Sequence, residues 1–234
     1  SKVKQSTWNA FKVAYQNAQA AYLGKYSDIN IRNYDKTDAT VIAEINELVT
    51  ALNTAKNNLV YKIDFTADEF NVDGAVASLI ASIANETYTA TSVQAVANAI
   101  STLTYYNMSA IERATHYMDE ADVVAAVKAE VIAIAQLDSQ LVEGTVDASA
   151  LEYAKAEGKS KLADPDAYDQ NEIAEKLAAL SEFVDVNVAG TIISAYKYNT
   201  QEELDADVTY ALSNISIQKY AVYNKKKKAY DWMR

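Results

Sequence analysis

The sequence predicts an all-α protein, built as tandem three-helix bundles in an elongated repeat array, and three observations carry that expectation. Apolar residues recur at alternating steps of four and three, most cleanly in Val41, Ile45, Leu48, Leu52, Ala55 and Leu59, which places them on one stripe of a helix. Only five glycines and one proline punctuate the 234 residues, so the turn chemistry of β-hairpins is scarce, while alanine, lysine, glutamate and leucine favour helix. The third signal is a recurring start: a tyrosine, then small hydroxyl or acidic residues able to accept hydrogen bonds from the free N–H groups of a first helical turn, then the apolar stripe. It occurs as Tyr88-Thr89-Ala90-Thr91-Ser92 before Val93, Val96, Ile100 and Leu103, and returns at Tyr34 (with Asp35 and Thr37), Tyr117, Tyr168 and Tyr198. The interval from Tyr88 to Tyr168 is 80 residues, from Tyr117 to Tyr198 81 and from Tyr34 to Tyr117 83, which is room for three helices per unit.

Taken in order, residues 7–23 carry Trp8, Phe11, Tyr15, Ala18 and Tyr22 on one stripe, which reads as a helix with a buried aromatic face, capped by Ser6 or Thr7 and ended by Gly24. A polar connection over 25–36 leads to the helix of residues 41–59. A linker over 61–71, docked by Phe65 and Phe70, precedes a short helix with Val72, Val76, Leu79 and Ile83. The capped helix from Thr91 to about Leu103 follows, and 104–118, without a sustained period, reads as a loop with one helical turn. From Asp119 onward Val123, Val127, Val131, Ile134 and Leu141 set out a long helix that Gly144 stops. In the last third Leu151, Ala154 and Leu162 mark a weak helix, Pro165 a turn, and Ile173, Leu177, Leu180 and Val184 a strong helix. Residues 185–197 correspond in position to 104–118 and read as a linker. Leu204, Val208, Ala211 and Ile215 form the partner helix, which residues 218–234 continue or follow with another. Three units result: 1–62, with two of its three helices and the third supplied from upstream or elsewhere; 63–144, a three-helix bundle; and 145–234, a three-helix bundle with a basic C-terminal segment.

Charge and composition exclude whole classes. The formal charge is −11, and because residues 219–234 hold six of the 21 basic and one of the 32 acidic residues, residues 1–218 carry 15 basic and 31 acidic ones, a balance of −16. Such a body repels nucleic acid and anionic membrane. The absence of cysteine removes disulfides, thiolate metal sites and cysteine nucleophiles together. No apolar run approaches the roughly 18 residues of a spanning helix, and no signal peptide is visible. A start at Ser1 and an end at Arg234 inside a helix-like pattern read as an excised fragment of a larger protein.

The segment Leu79-Ile80-Ala81, then Tyr88-Thr89-Ala90-Thr91-Ser92 and Ala95 to Ile100, resembles FIVAR modules (Found In Various Architectures), whose second helix typically opens on Tyr-Thr, an acidic residue and Ser-Trp and ends in Ala-Leu or Ala-Ile pairs. Ser6-Thr7-Trp8 with Phe11, Ala14-Tyr15 and Ala18 is similar to the same segment with its tryptophan present, and Leu162-Ala163-Asp164-Pro165-Asp166-Ala167 to the connection before a following helix. The chain departs from that pattern where Val93, Asp169 and Asn199 replace the usual tryptophan and threonines. The resemblance implies a module of large secreted or wall-attached bacterial proteins, in which strings of such bundles space enzymatic, carbohydrate-binding or anchoring domains.

Few residues invite chemistry. His116 is the only histidine, so triads and multi-histidine metal sites are excluded, and a base built on it would need Asp119 or Glu120 as its orienter. Glu69-Phe70-Asn71-Val72-Asp73-Gly74 imitates the start of a calcium loop, but Ile80 stands where the bidentate glutamate belongs, so Asp73 is expected as a helix cap. Asp164 and Asp166 are the kind of pair that 32 carboxylates produce by chance. Lys225 to Lys228, between Tyr223, Tyr230 and Trp232, suit either a solvated helix face or an anionic polymer such as a cell-wall polymer or a nucleic acid, the solvated face being favoured beside so acidic a body. The 17 tyrosines plug gaps between alanine-rich helices or stack on sugars, with Tyr105, Tyr106, Tyr196 and Tyr198 as the candidate ligand contacts. The expectation is therefore a non-catalytic spacer at the cell surface or in the cell wall, without cofactor or metal, whose partners are the flanking domains of its parent. The alternative is an adhesin or glycan-binding module using the tyrosine-rich linkers.

Overall fold

Most helices foreseen from the spacing of apolar residues are present in the computed structural model, which describes residues 2–27, 38–164, 168, 170–215, 220–224 and 229–233. In chain order they are α1 (Gln5–Leu23), α2 (Ala39–Asn57), α3 (Val72–Asn85), α4 (Ala90–Ser101), α5 (Ala110–Arg113), α6 (Ala121–Gln136), α7 (Ser149–Leu162), α8 (Gln170–Ala179) and α9 (Gln201–Ile215). The protein is mostly helical, but it also holds two antiparallel pairs, β1 (Phe183–Val188) with β2 (Thr191–Tyr196) and β3 (Tyr220–Asn224) with β4 (Ala229–Met233).

By backbone proximity the chain divides into two compact units, Ser1–Val72 with Thr104–Val131 and Asp73–Leu103 with Ile132–Arg234. This division does not follow the 62/63 and 144/145 boundaries read from the tyrosine spacing, because connectors distant in sequence pair through their backbones.

In the first unit α1 packs against α2. The start expected from Ser6 or Thr7 lies earlier: the helix opens at Gln5, and Thr7 sits inside its first turn with Oγ1 donating to the Lys4 carbonyl. The expected buried aromatic face is also corrected, since no residue of α1 is buried and Trp8, Tyr15 and Tyr22 are exposed. A helix packed beside one other helix covers one flank of its stripe and leaves the rest to solvent. Helix α2 begins at an Asp38 cap, whose carboxylate accepts the Thr40 N–H at 2.8 Å. The starting device at Tyr34, Asp35 and Thr37 lies outside the described residues.

In the second unit the apolar positions of α3 and α4 are buried as their period requires: Val76, Leu79 and Ile83, then Val93, Val96 and Ile100. Thr89 caps α4, accepting the Ser92 N–H while the Ser92 hydroxyl donates back to the Thr89 carbonyl at 2.9 Å. Asp73, expected as a cap, lies instead in the first turn of α3, where its charge opposes the positive end of the helix dipole. The long helix expected to reach Gly144 ends at Gln136; Leu137–Gln140 tighten into a 3₁₀ turn and Leu141 is extended.

Helices α7, α8 and α9 pack on one another pairwise around Leu151, Ala154, Leu180, Leu204, Val208 and Ala211. Here the reading of α8 is corrected: it stops at Ala179, and Val184, assigned to it from spacing, lies in β1. The linker expected over 185–197 is a β-hairpin, for Val184, Val186 and Val188 alternate with Asp185 and Asn187, a period of two. Ala189 and Gly190 turn it with φ of 48° and 88°, the two positive values that a two-residue hairpin needs. The hairpin packs on α4, burying Val186, Val188, Ile193 and Ala195. The helical continuation expected over 218–234 is replaced by β3 and β4, registered with Tyr223 opposite Tyr230. Pro165, Asp166, Asp169 and Lys225 to Lys228 lie outside the described residues.

Candidate functional site

The tyrosine-bearing connectors, where sequence placed the candidate contacts, are held by backbone pairing across distant parts of the chain. In the first unit three connectors meet in a small backbone knot. Val3 pairs with Tyr61 and Lys62 with Tyr117, both antiparallel. Lys4 N–H donates to the Val60 carbonyl at 2.8 Å, Lys62 N–H to Lys2 at 2.9 Å, Ile63 N–H to His116 at 3.1 Å and Met118 N–H to Tyr61 at 2.9 Å. Two ammonium groups, Lys4 and Lys62, lie 5.5 and 5.9 Å from the centre of the Tyr117 ring, and Lys4 also reaches the Asp119 carboxylate at 2.6 Å. The second unit has its own knot. Tyr88 pairs antiparallel with Glu143 and Thr89 parallel with Tyr196. Thr89 N–H donates to Val142 at 2.8 Å, Gly144 N–H to Thr87 at 3.0 Å and Tyr196 N–H to Tyr88 at 2.8 Å.

Tyr105 and Tyr106 belong to the first unit and begin a loop held by two charged side chains. Glu130 on α6 accepts the N–H groups of Thr104, Tyr105 and Tyr106 at 2.8, 3.0 and 2.7 Å. Arg113 donates to the carbonyls of Tyr105 and Tyr106 at 2.8 and 2.7 Å and lies over the Phe65 ring. The short α5 that places Arg113 is fixed by a capping box between Ser109 and Glu112, with the Glu112 carboxyl held below its ordinary range by the Ser109 hydroxyl and N–H. His116 is half-buried, its Nδ1 2.9 Å from Glu120, the second of the two carboxylates foreseen for it, and its ring edge-on to Tyr105. A lone imidazole and carboxylate here have no nucleophile beside them among the described hydrogen bonds, and they serve the turn into α6.

Tyr196 and Tyr198 belong to the second unit and are parts of its packing. The Tyr196 ring is tilted against Phe183 at 4.8 Å and covers Gly144. Tyr198 is 3% exposed: its hydroxyl donates to Asp207 at 3.1 Å and its ring is inside the α7–α9 cluster. Lys197 completes a polar triad, donating to Asp207 at 2.7 Å, to the Tyr198 hydroxyl at 3.2 Å and to the Ala179 carbonyl at 3.1 Å. The Lys197 ammonium keeps Asp207 below its ordinary range, and burial pushes the Tyr198 hydroxyl up. Burial works against the Lys197 charge, but the hydrogen bonds to Asp207 and Tyr198 outweigh it and raise its pKa.

Sequence reasoning missed a second Lys-Tyr pair built on the same plan. Lys25 and Tyr26, at the end of α1, both donate to the Glu44 carboxylate on α2, with the ammonium 5.4 Å from the Tyr26 ring centre. The hydrogen bonds from Lys25 and then Tyr26 hold Glu44 low. The signal was available, since Lys-Tyr occurs at both 25–26 and 197–198, but only the fold reveals the carboxylate that each one meets. This trio closes one end of a shallow hollow between α1 and α2, lined by Ala14, Asn17, Ala21, Glu47 and Leu48, and a second hollow with Ser6, Ala10, Thr54 and Asn58 continues the same flank.

Among the described residues no group of three or more histidine or acidic side chains is placed to hold a metal ion, and no helix is long and apolar enough to cross a membrane. Comparison with protein-family models, with curated proteins and with solved structures finds no match.

Proposed function

We propose that the chain is a non-catalytic structural module of a secreted or cell-surface bacterial protein, a spacer of tandem three-helix bundles of the FIVAR type it resembles, which holds the flanking domains of its parent apart. The observation that supports this reading is what the connectors do. In a binding module the loops present side chains; here, although Tyr61 stays exposed, the connector backbones pair with each other and helix side chains hold the loop at 104–106. Tyr61, Tyr117, Tyr88 and Tyr196 sit in the two knots, and Tyr105 and Tyr106 are tied by Glu130 and Arg113. Connections fastened in this way leave little slack between one helix and the next, which is what a spacer under tension requires.

The connectivity supports the bundle plan as well. Helices α7, α8 and α9, packed pairwise, supply the three helices expected after residue 145.

Small-angle scattering on the isolated chain tests the reading. A single globule of 234 residues has a radius of gyration of about 17.5 Å; a tandem spacer must exceed that clearly, and a value at the globular figure overturns it. A glycan array run beside it tests the adhesin alternative, which gains if binding is found and is lost in Tyr105→Ala or Tyr106→Ala.

A further inference from the structure

The α1–α2 pair has two flanks of different character. At about 100° per residue, the seam between the helices is made by the half-buried Thr7, Phe11, Ala14 and Ala18 against Ile45, Leu48 and Leu52. The flank with the two hollows is small-residue and polar, and its acidic groups Glu44 and Glu47 are there. On the other flank large apolar residues are exposed among polar ones such as Gln19 and Asn53. Trp8, Tyr15 and Tyr22 follow one another at steps of seven on α1 and are 37%, 49% and 61% exposed. Ile42 and Val49, also seven apart, stand on the same flank of α2 at 44% and 52%. Phe11 joins the row, its ring 5.6 Å from Trp8 and 6.4 Å from Tyr15 with the planes within 27°.

We propose that this flank docks a single amphipathic helix of a separate polypeptide, whose apolar stripe is bordered by carboxylates. Two ridges of large side chains at seven-residue steps, one on each of two packed helices, make the furrow that a third helix fills in a bundle. Tryptophan and tyrosine are the residues that anchor such contacts, and an exposed apolar surface of this extent marks an interaction site. The charge selects the occupant. By the same helical geometry the ionisable residues bordering the furrow are the exposed Lys12 on α1 and Lys56 on α2, with the cap residue Asp38 as the one carboxylate at its far end, while Glu44 and Glu47 are turned to the other flank. Residues 1–62 as a whole hold eight basic and five acidic residues within a chain of −11. Two copies meeting face to face would oppose lysine to lysine, so a second copy of this chain is the weaker fit. The docking stands on these exposed residues and not on the spacer reading.

The test uses the full chain in a Trp232→Phe background, which leaves Trp8 as the sole tryptophan reporter. Two synthetic helices of about 18 residues, with the same leucine stripe but glutamate or lysine borders, are titrated against it. The glutamate-bordered peptide is expected to bind, shifting Trp8 emission to the blue, and the lysine-bordered one to bind about tenfold more weakly or not at all. Tyr15→Ala should weaken binding about tenfold. The exposed double change Lys12→Glu with Lys56→Glu, which leaves the apolar ridges intact, should reverse the preference. Equal binding of both peptides, no binding of either, or a preference that survives the charge reversal overturns the proposal. Concentration-dependent self-association that is lost in Tyr15→Ala also overturns it, and makes the flank a contact between copies.

Discussion

The isobutyl group of Leu177 on α8 occupies the space above Gly158 on α7: a Cβ at Gly158 would lie 2.3 Å from Leu177 Cδ2 and 2.8 Å from Cγ. Gly158 is buried in mid-helix, where glycine costs about 1 kcal/mol relative to alanine. Packing outweighs propensity at this site. Gly158→Ala is expected to destabilise by about 1–3 kcal/mol through overpacking, and Leu177→Ala by about 2–5 kcal/mol through a cavity. Combining them should cost less than the sum, because each change makes room for or fills the other. Urea melts of the four proteins check it, and additive effects would show that the two helices do not meet there.

Leu48 on α2 provides a contrast. Like Leu177 it is partly buried, but it stands beside an open hollow and not against a facing helix backbone, so Leu48→Ala should cost about 1–2 kcal/mol, less than Leu177→Ala. A loss as large as that of Leu177→Ala in the same melts would mean the α1–α2 seam is closed in solution.

The Lys197–Tyr198–Asp207 triad sets a pH window. Asp207 is held below its ordinary 3.8, so its contribution is present above that value and is lost as pH falls through the lower folded one. Lys197 and Tyr198 are raised from 10.5 and 10.0, so theirs are full below those values and are lost as pH rises through the higher folded ones. Stability measured between about pH 2 and 12 should therefore pass through a plateau with a fall at each end. Asp207→Asn should lower the plateau by no more than about 1 kcal/mol, because solvent screens a carboxylate that is 48% exposed, and should flatten the acid limb. An unchanged acid limb in that variant would remove Asp207 from the account.

Glu130 accepts three backbone N–H groups of the loop that starts at Thr104. Glu130→Ala strands all three and should cost about 1–3 kcal/mol, with amide exchange accelerating at 104–106 and not in α9. Protection that persists at those amides would mean the loop is held by Arg113 alone.

Ala189 turns the β1–β2 hairpin with φ at 48°, a region that costs a residue with a Cβ about 1 kcal/mol or more. Ala189→Asn or Ala189→Gly should raise stability by up to about 1 kcal/mol. A loss of stability in both would point to a contact of the alanine methyl that outweighs the strain.

The helices were legible because each buries one stripe: Val76, Leu79 and Ile83 of α3, Val93, Val96 and Ile100 of α4 and Leu204, Val208, Ala211 and Ile215 of α9 are all buried, while Leu103, read into the α4 stripe, lies past the helix end and is only partly covered. The β1–β2 hairpin was written just as plainly, in Val184, Val186 and Val188, but the turn Ala189-Gly190 lacks the asparagine or aspartate that usually announces it, and Leu177 and Leu180 extended the helical rhythm into the strand. The surroundings of Tyr198 were hidden for a different reason. A tyrosine's use depends on where its hydroxyl ends, and nothing in the local sequence says that Asp207 waits one turn into the next helix. The exposure of Trp8, Tyr15 and Tyr22 was equally hidden, since periodicity shows that a face is apolar but not whether anything covers it.

The knots also impose an order on the chain's birth. Val3 finds Tyr61 only after more than fifty residues have followed it, and the same knot is finished when Tyr117 arrives; Tyr88 must likewise wait for Glu143 and then for Tyr196. Each closure fixes a long loop, an entropic cost that the local turns of α1 or α4 never face. Helices can therefore form as they leave the ribosome while segments 2–4 and 87–89 stay unpaired, holding bare strand edges until their partners are made. Seen this way the knots are the late seals of synthesis, and a chain halted before residue 117 would carry α1 to α5 but neither knot complete.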